Sequence, residues 1–242
     1  MLRGLVFELG FVTSVTAWGL ISMLTVAFPY RTRFWFISRW AVWMLDWLRL
    51  CCGIRWQVEG LENIPRQPAV VMSKHQSTWE TLALVRWFTP QSWVLKRELS
   101  WLPVFGWALA LLEPIAINRG AGRSAVTQVV SQGRQRLADG RWVVVFPEGT
   151  RVAAGSKLRY RIGGAVLAVR AGVPVVPVAH NAGHYWPRRS IAKYPGTVRV
   201  RTGPPIATEG STPEQVIARV EEWIEDQMVE LDALAKQERG RG

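Results

Sequence analysis

Cysteine is nearly absent from this 242-residue chain: Cys51 and Cys52 stand side by side and there are no others. That excludes a disulfide framework and suits a reducing compartment. The pair reads as small buried apolar residues and not as lipid attachment points. Histidine is equally scarce, with only His75, His180 and His184. His180 and His184 have no cysteines near them, so they do not make a zinc set, and they are expected in a loop near substrate or solvent. No Gly-x-Ser-x-Gly turn occurs, which argues against a serine hydrolase built on that elbow. Internal repeats and low-complexity tracts are also lacking.

Acidic residues are few, 18 against 30 Lys and Arg, for a net charge of +12. The imbalance is local. Residues 119–201 carry fifteen Lys and Arg and only Asp139 and Glu148, whereas residues 211–242 carry eight acids and four bases. A basic middle region predicts an anionic partner. Nucleic acid is not the expected one. No recognised module is present, and the tryptophans precede the basic region instead of interleaving with it.

Hydrophobic residues reach 49%, which excludes a disordered chain and allows a core without metals or crosslinks. Eleven of the 14 tryptophans fall between Trp18 and Trp107. Residues 9–30 are uncharged, about the length a helix needs to cross a bilayer. The run is too long for a signal peptide, and no small-residue cleavage site follows it. In the next segment Trp40, Trp43 and Trp47 recur at helical spacing among Arg39, Asp46 and Arg49. That pattern predicts a helix lying in a membrane interface. Either residues 9–30 span the membrane once, or they pair with 34–50 as a hairpin dipping into one leaflet. Residues 1–52 are thus expected to be a membrane-associated helical segment and 53–242 an α/β domain.

Beyond residue 53, strands are predicted at 54–59, 69–73, 92–95, 115–117, 142–146, 173–179 and 197–201. Helices are predicted at 77–88, 124–138 and 163–171 and from Thr212 onward, with an apolar stretch over 101–112. Strands alternating with helices predict an α/β fold with a mixed, partly parallel sheet flanked by helices.

Two loops carry chemistry. The first follows the apolar run 69–73, as Lys74-His75-Gln76-Ser77-Thr78-Trp79-Glu80. On one regular helix His75 and Glu80 would sit roughly 140° apart, so they can meet only if His75 lies in the loop and Ser77 starts the helix. Ser77-x-x-Glu80 is equally a capping box, with Glu80 serving the backbone N–H of Ser77. As a pair, a carboxylate on one imidazole nitrogen would leave the other free to take a proton from a hydroxyl. The second loop follows the apolar run 142–146, as Pro147-Glu148-Gly149-Thr150-Arg151. Arg151 could grip a phosphate with two parallel bonds, or the loop could be an ordinary turn.

His75-x4-Glu80 followed by Phe146-Pro147-Glu148-Gly149-Thr150-Arg151 resembles the glycerolipid acyltransferase family. Two more blocks stand in that family's order: Lys96-Arg97-Glu98-Leu99 through Pro103, Gly106 and Ile117-Asn118-Arg119, and then Val173-Pro174-Val175-Val176-Pro177-Val178. The match covers roughly residues 65–180. One departure is Glu80, where the family usually has Asp. The resemblance implies transfer of an acyl chain from a thioester, acyl-CoA or acyl-carrier protein, to the 2-hydroxyl of lysophosphatidic acid, without an acyl-enzyme. It implies His75 as base, Glu80 as its orienting group, and Glu148, Gly149, Thr150 and Arg151 on the substrate phosphate, with Lys96 and Arg119 as further contacts. No metal or cofactor is implied, and the active site is expected to face the cytoplasm, where thioester donors are made. The alternatives are another lysolipid acceptor, or a non-catalytic membrane-bound scaffold.

Overall fold

Three strands are apolar at nearly every position and end up buried on both faces. They are β2 (Val70–Ser73), β5 (Trp142–Val145) and β6 (Val175–His180). Strands of that kind belong in the middle of a parallel sheet covered on both sides. In the computed structural model, which describes residues 1–118 and 120–240, they do lie there. The other strands are β1 (Ile54–Glu59), β3 (Gln91–Lys96), β4 (Ile115–Ile117) and β7 (Gly196–Thr202). The sheet order is β1-β7-β6-β2-β5-β3-β4, and every pairing is parallel except β6 with β7.

Alternation along the strands divides the core in two. Val71, Val144 and Val176 face one layer, with Phe34, Leu45, Leu48 and Trp79. Val70, Met72, Val143, Val145 and Val175 face the other, with Val129, Leu167, Val220 and Ile224. The first layer is built by α2 (Tyr30–Cys52) and α3 (Trp79–Ala83), the second by α5 (Arg123–Ala138), α6 (Gly163–Ala171) and α7 (Pro213–Gly240). The expected helix over 77–88 is shorter: α3 gives way to a 3₁₀ turn at Leu84–Arg86 before the chain re-enters the sheet.

The N-terminal segment is a hairpin of α1 (Leu2–Ser22) and α2. The inner face of α2 carries Phe34, Ile37, Ala41, Leu45 and Leu48 and belongs to the same core as the sheet. The link at residues 52–53 is a left-handed Gly53 that caps α2, and no packing boundary accompanies it. The tryptophan stripe departs from expectation. It is partly covered by α1, while Trp43 keeps half of its surface exposed. Gly10 leaves room for Trp47, the Trp40 indole N–H donates to Ser14 Oγ at 3.0 Å, and Trp18 meets Trp43 edge-on at 4.8 Å. Helical periodicity identified an apolar face on α2, and a second helix occupies part of it.

A larger exposed apolar face lies on α1, beside the exposed Trp35, Trp43 and Leu50 of α2. Leu2, Leu5, Leu9 and Val12 follow helical spacing and are all solvent-facing, as are Leu20 and Leu24. α1 is the one helix among the described residues long and apolar enough to cross a membrane. Both of its ends nevertheless touch the α/β body: Phe7 packs on Trp186, Glu8 pairs with Lys193 at 2.6 Å, and Gly19 abuts Val104. Val104 precedes α4 (Phe105–Ala110), around which Trp101, Leu102 and Trp107 add further exposed apolar surface.

Candidate active site

Because β2 and β5 are parallel neighbours, with Met72 opposite Val145, the chain leaves both strands at the same sheet edge. His75 and the Phe146–Arg151 loop therefore emerge side by side, at the edge where open α/β sheets bind ligands. Two bonds lock them together. The N–H of Val152 donates to the carbonyl of His75 at 2.8 Å, and the N–H of His75 donates to Glu148 Oε2 at 3.0 Å.

The two readings of Glu80 turn out to describe one atom. Glu80 Oε1 accepts from the N–H of Ser77 at 2.8 Å and of Gln76 at 2.9 Å, and it lies 2.8 Å from His75 Nδ1. Ser77 Oγ in turn accepts from the N–H of Trp79. The cap holds the carboxylate still, and the held carboxylate orients the imidazole. An ionised carboxylate only accepts, so Nδ1 carries the proton and Nε2 presents its lone pair. Among the described residues, Nε2 bonds to no protein atom. The ring stacks on Phe146 with centroids 4.1 Å apart.

Glu80 is fully buried. Burial alone would raise its pKa, but the flanking His180 and His75 and the N–H donors outweigh it and hold the carboxyl below its ordinary value. His180 was expected in a loop near substrate or solvent. It is instead the last residue of β6, with no exposure, behind the dyad and 3.8 Å from Glu80 Oε2. Its Nε2–H donates to the Lys74 carbonyl at 2.8 Å, its Nδ1 accepts from Ala182, and burial lowers its pKa, so it packs behind the dyad instead of meeting substrate. The sequence signal was there: a histidine ending an all-apolar strand should be buried. His184 is also turned inward, bonded to Asp232 of α7 at 2.8 Å.

Arg151 Nη1 donates to Thr78 Oγ1 at 2.6 Å, three residues beyond His75, so the guanidinium and the imidazole border one space. Thr150 is exposed beside it, and Gly149 takes a left-handed φ of 70° that turns the loop. Lys96 ends β3, the other parallel neighbour of β5, and so emerges at the same edge, half-exposed and paired with Glu98 at 3.1 Å. Arg119 lies outside the described residues. Glu148 differs from its expected place among phosphate contacts. Its carboxylate is buried and turned inward, toward His75 N–H and the ammonium of Lys74. A carboxylate would repel a phosphate, and this one serves to hold the loop. Burial pushes its pKa up to about 7 against the opposing pull of Lys74.

Lys74 was not singled out from the sequence. Successive strand residues point to opposite sides, so it faces away from His75 into the α7 layer. An ionisable residue at the end of a buried strand is a signal in itself, because it must find partners. Beside the site runs a cleft of about 600 Å³, lined by Val94, Ile117, Val126, Val145 and Phe146, with Arg161 at its rim.

A family model described as "Acyltransferase" matches residues 55–181. The chain is 46% identical to 1-acyl-sn-glycerol-3-phosphate acyltransferase of Pseudomonas aeruginosa over 96% of this chain and 93% of that protein. It is 32% identical to the alpha form of that enzyme from Homo sapiens, over 82% and 71% of the two chains. The crystal structure of the 1-acyl-sn-glycerophosphate (LPA) acyltransferase from Thermotoga maritima superposes with a TM-score of 0.77 at 24% identity, covering 96% of this chain and 95% of that one. Both the model match and the full-length relative place the chain among the enzymes whose motif loops it carries: it belongs to the glycerolipid acyltransferase family.

Proposed function

We propose that this enzyme transfers an acyl chain from acyl-CoA or acyl-carrier protein to the 2-hydroxyl of lysophosphatidic acid. The observation that carries this reading is the Val152–His75 backbone bond, because it docks the arginine loop onto the base loop. His75 Nε2 takes the proton of the hydroxyl as its oxygen attacks the thioester carbonyl. Glu80 balances the imidazolium that forms, and general-base help of this kind contributes roughly 10²–10⁴ in rate. The tetrahedral intermediate collapses, the C–S bond breaks, and the thiolate recovers the proton from His75. Arg151, with Thr150 and Gly149, grips the substrate phosphate, and Lys96 and Arg119 reinforce it. The apolar cleft suits an acyl chain, and exposed Arg159 and Arg161 at its rim suit the phosphates of CoA or the acidic surface of a carrier protein.

The exposed face of α1, continued by Trp101, Leu102 and Trp107, favours a hairpin lying in one leaflet over a single span, because both ends of α1 stay on the α/β body. Acyl chains are held in the bilayer at about 0.8 kcal/mol per CH₂, so an enzyme lying there need lift only the headgroup. The catalytic edge faces the cytoplasm, where thioesters are made.

The test is turnover of labelled acyl-CoA and acyl-carrier protein by purified enzyme with lysophosphatidic acid, lysophosphatidylcholine, or no acceptor, alongside H75A. Transfer to lysophosphatidic acid that disappears in a folded H75A protein is expected. Preference for another lysolipid would reassign the acceptor, and an H75A protein as active as wild type would remove His75 as the base.

A further inference from the structure

Lys74 is a deeply buried cation, with a side chain only 1% exposed. Its ammonium donates to Glu225 Oε1 at 2.7 Å and to the Ser156 carbonyl at 3.4 Å, and it pairs by charge with Glu148 Oε1 at 3.2 Å. Glu225 stands on α7, 151 residues further along the chain, and also accepts the Tyr160 hydroxyl at 2.8 Å. One ammonium thus serves two carboxylates. The shorter contact goes to the helix, and the longer goes to the carboxylate that anchors the catalytic loop.

We propose that Glu225 is a positioning residue for acyl transfer. With Tyr160 it holds the Lys74 ammonium against one oxygen of Glu148, while the other oxygen fixes the backbone N–H of His75. The inference rests on His75 acting as the base. An ammonium without Glu225 would turn fully onto Glu148 and pull that carboxylate off the His75 N–H, since a buried cation seeks its strongest acceptors. Displacement of the base by even a fraction of an ångström costs rate, because proton transfer needs the reacting atoms near contact. Nothing in this chain of contacts touches the substrate, so the effect falls on turnover and not on binding.

The experiment uses the full chain in detergent micelles, with lysophosphatidic acid and acyl-CoA, comparing wild type with E225A, E225Q, Y160F and H75A. Rates are counted per folded molecule by circular dichroism. E225A is expected to lose kcat by about tenfold or more while KM for both substrates stays within about twofold. E225Q, which keeps an acceptor for Lys74 and Tyr160 but no charge, should recover part of that loss, and Y160F should lose about two- to threefold. If E225A does not fold, E225Q alone decides. A folded Glu225 variant with wild-type kcat, or one whose KM moves while kcat does not, overturns the inference. Wild-type turnover together with an inactive H75A in the same preparations keeps the base assignment standing in that event. An active H75A would remove the base and this inference with it.

Discussion

The Nδ1–H of His75 donates to Glu80 over 2.8 Å, into the same oxygen that accepts the N–H groups of Gln76 and Ser77. Glu80 therefore has two duties that substitutions can separate. E80Q keeps an acceptor for the backbone but loses the charge and can present the wrong group to Nδ1. It should fold and lose about two to four orders of magnitude in kcat. E80D restores the acid usual in the family one methylene shorter, and should retain at least about tenfold more activity than E80Q. Steady-state kinetics with thermal melts checks both.

Arg151 is predicted to act on binding. R151A removes a charge-assisted grip, so KM for lysophosphatidic acid should rise about 10- to 100-fold, with kcat changing far less. R151K keeps the charge but loses the planar fork and should restore only part of that loss. A fall in kcat with KM unchanged would count against phosphate recognition.

Glu148 gives a signed pH dependence. Its folded pKa, pushed to about 7 mainly by burial, lies above the ordinary 4.5. The stability it contributes is complete below the ordinary value and is lost as pH rises through about 7. Buried His180 works the other way: its pKa is lowered, so its contribution is present above the ordinary histidine value and lost as pH falls. The two trends overlap below the ordinary histidine value, so the comparison must be with a variant. E148Q lacks the ionisation and should gain stability relative to wild type between pH 5 and pH 7.5, by on the order of 3 kcal/mol at most. Urea unfolding at the two pH values measures the difference, and a difference that shrinks or stays flat contradicts it.

The outer face of α1 should govern membrane attachment. A double substitution L5E/L9E places charges on two exposed positions that make no part of the core. Liposome flotation should show most of the protein released, since burying each leucine is worth about 1.5–3 kcal/mol. Turnover of a short-chain, water-soluble lysophosphatidic acid should stay within about threefold of wild type. Substituting Trp43, which packs on Trp18 within the hairpin, is expected instead to lower the melting temperature.

Much of this molecule is local and therefore readable from one chain. β1 at Ile54–Glu59 and β4 at Ile115–Ile117 have the predicted bounds, and α6 at Gly163–Ala171 does too. Apolar runs and glycine stops depend on neighbours a few residues away. The loop carrying His75 and Glu80 is equally local, since five residues and a capping serine are enough to bring them together. What only the tertiary structure decided is who faces whom. Nothing in the strands themselves says that β2 and β5, some 70 residues apart, are parallel neighbours, yet that adjacency puts Arg151 next to His75. Periodicity marked the tryptophan face of α2 as apolar but could not say that α1 would pack against part of it. Nor could it say that α7 would send Glu225 to a lysine beside the base. A periodic pattern encodes which side of an element avoids water. The partner that takes water's place is set by long-range packing, which no short window of sequence contains.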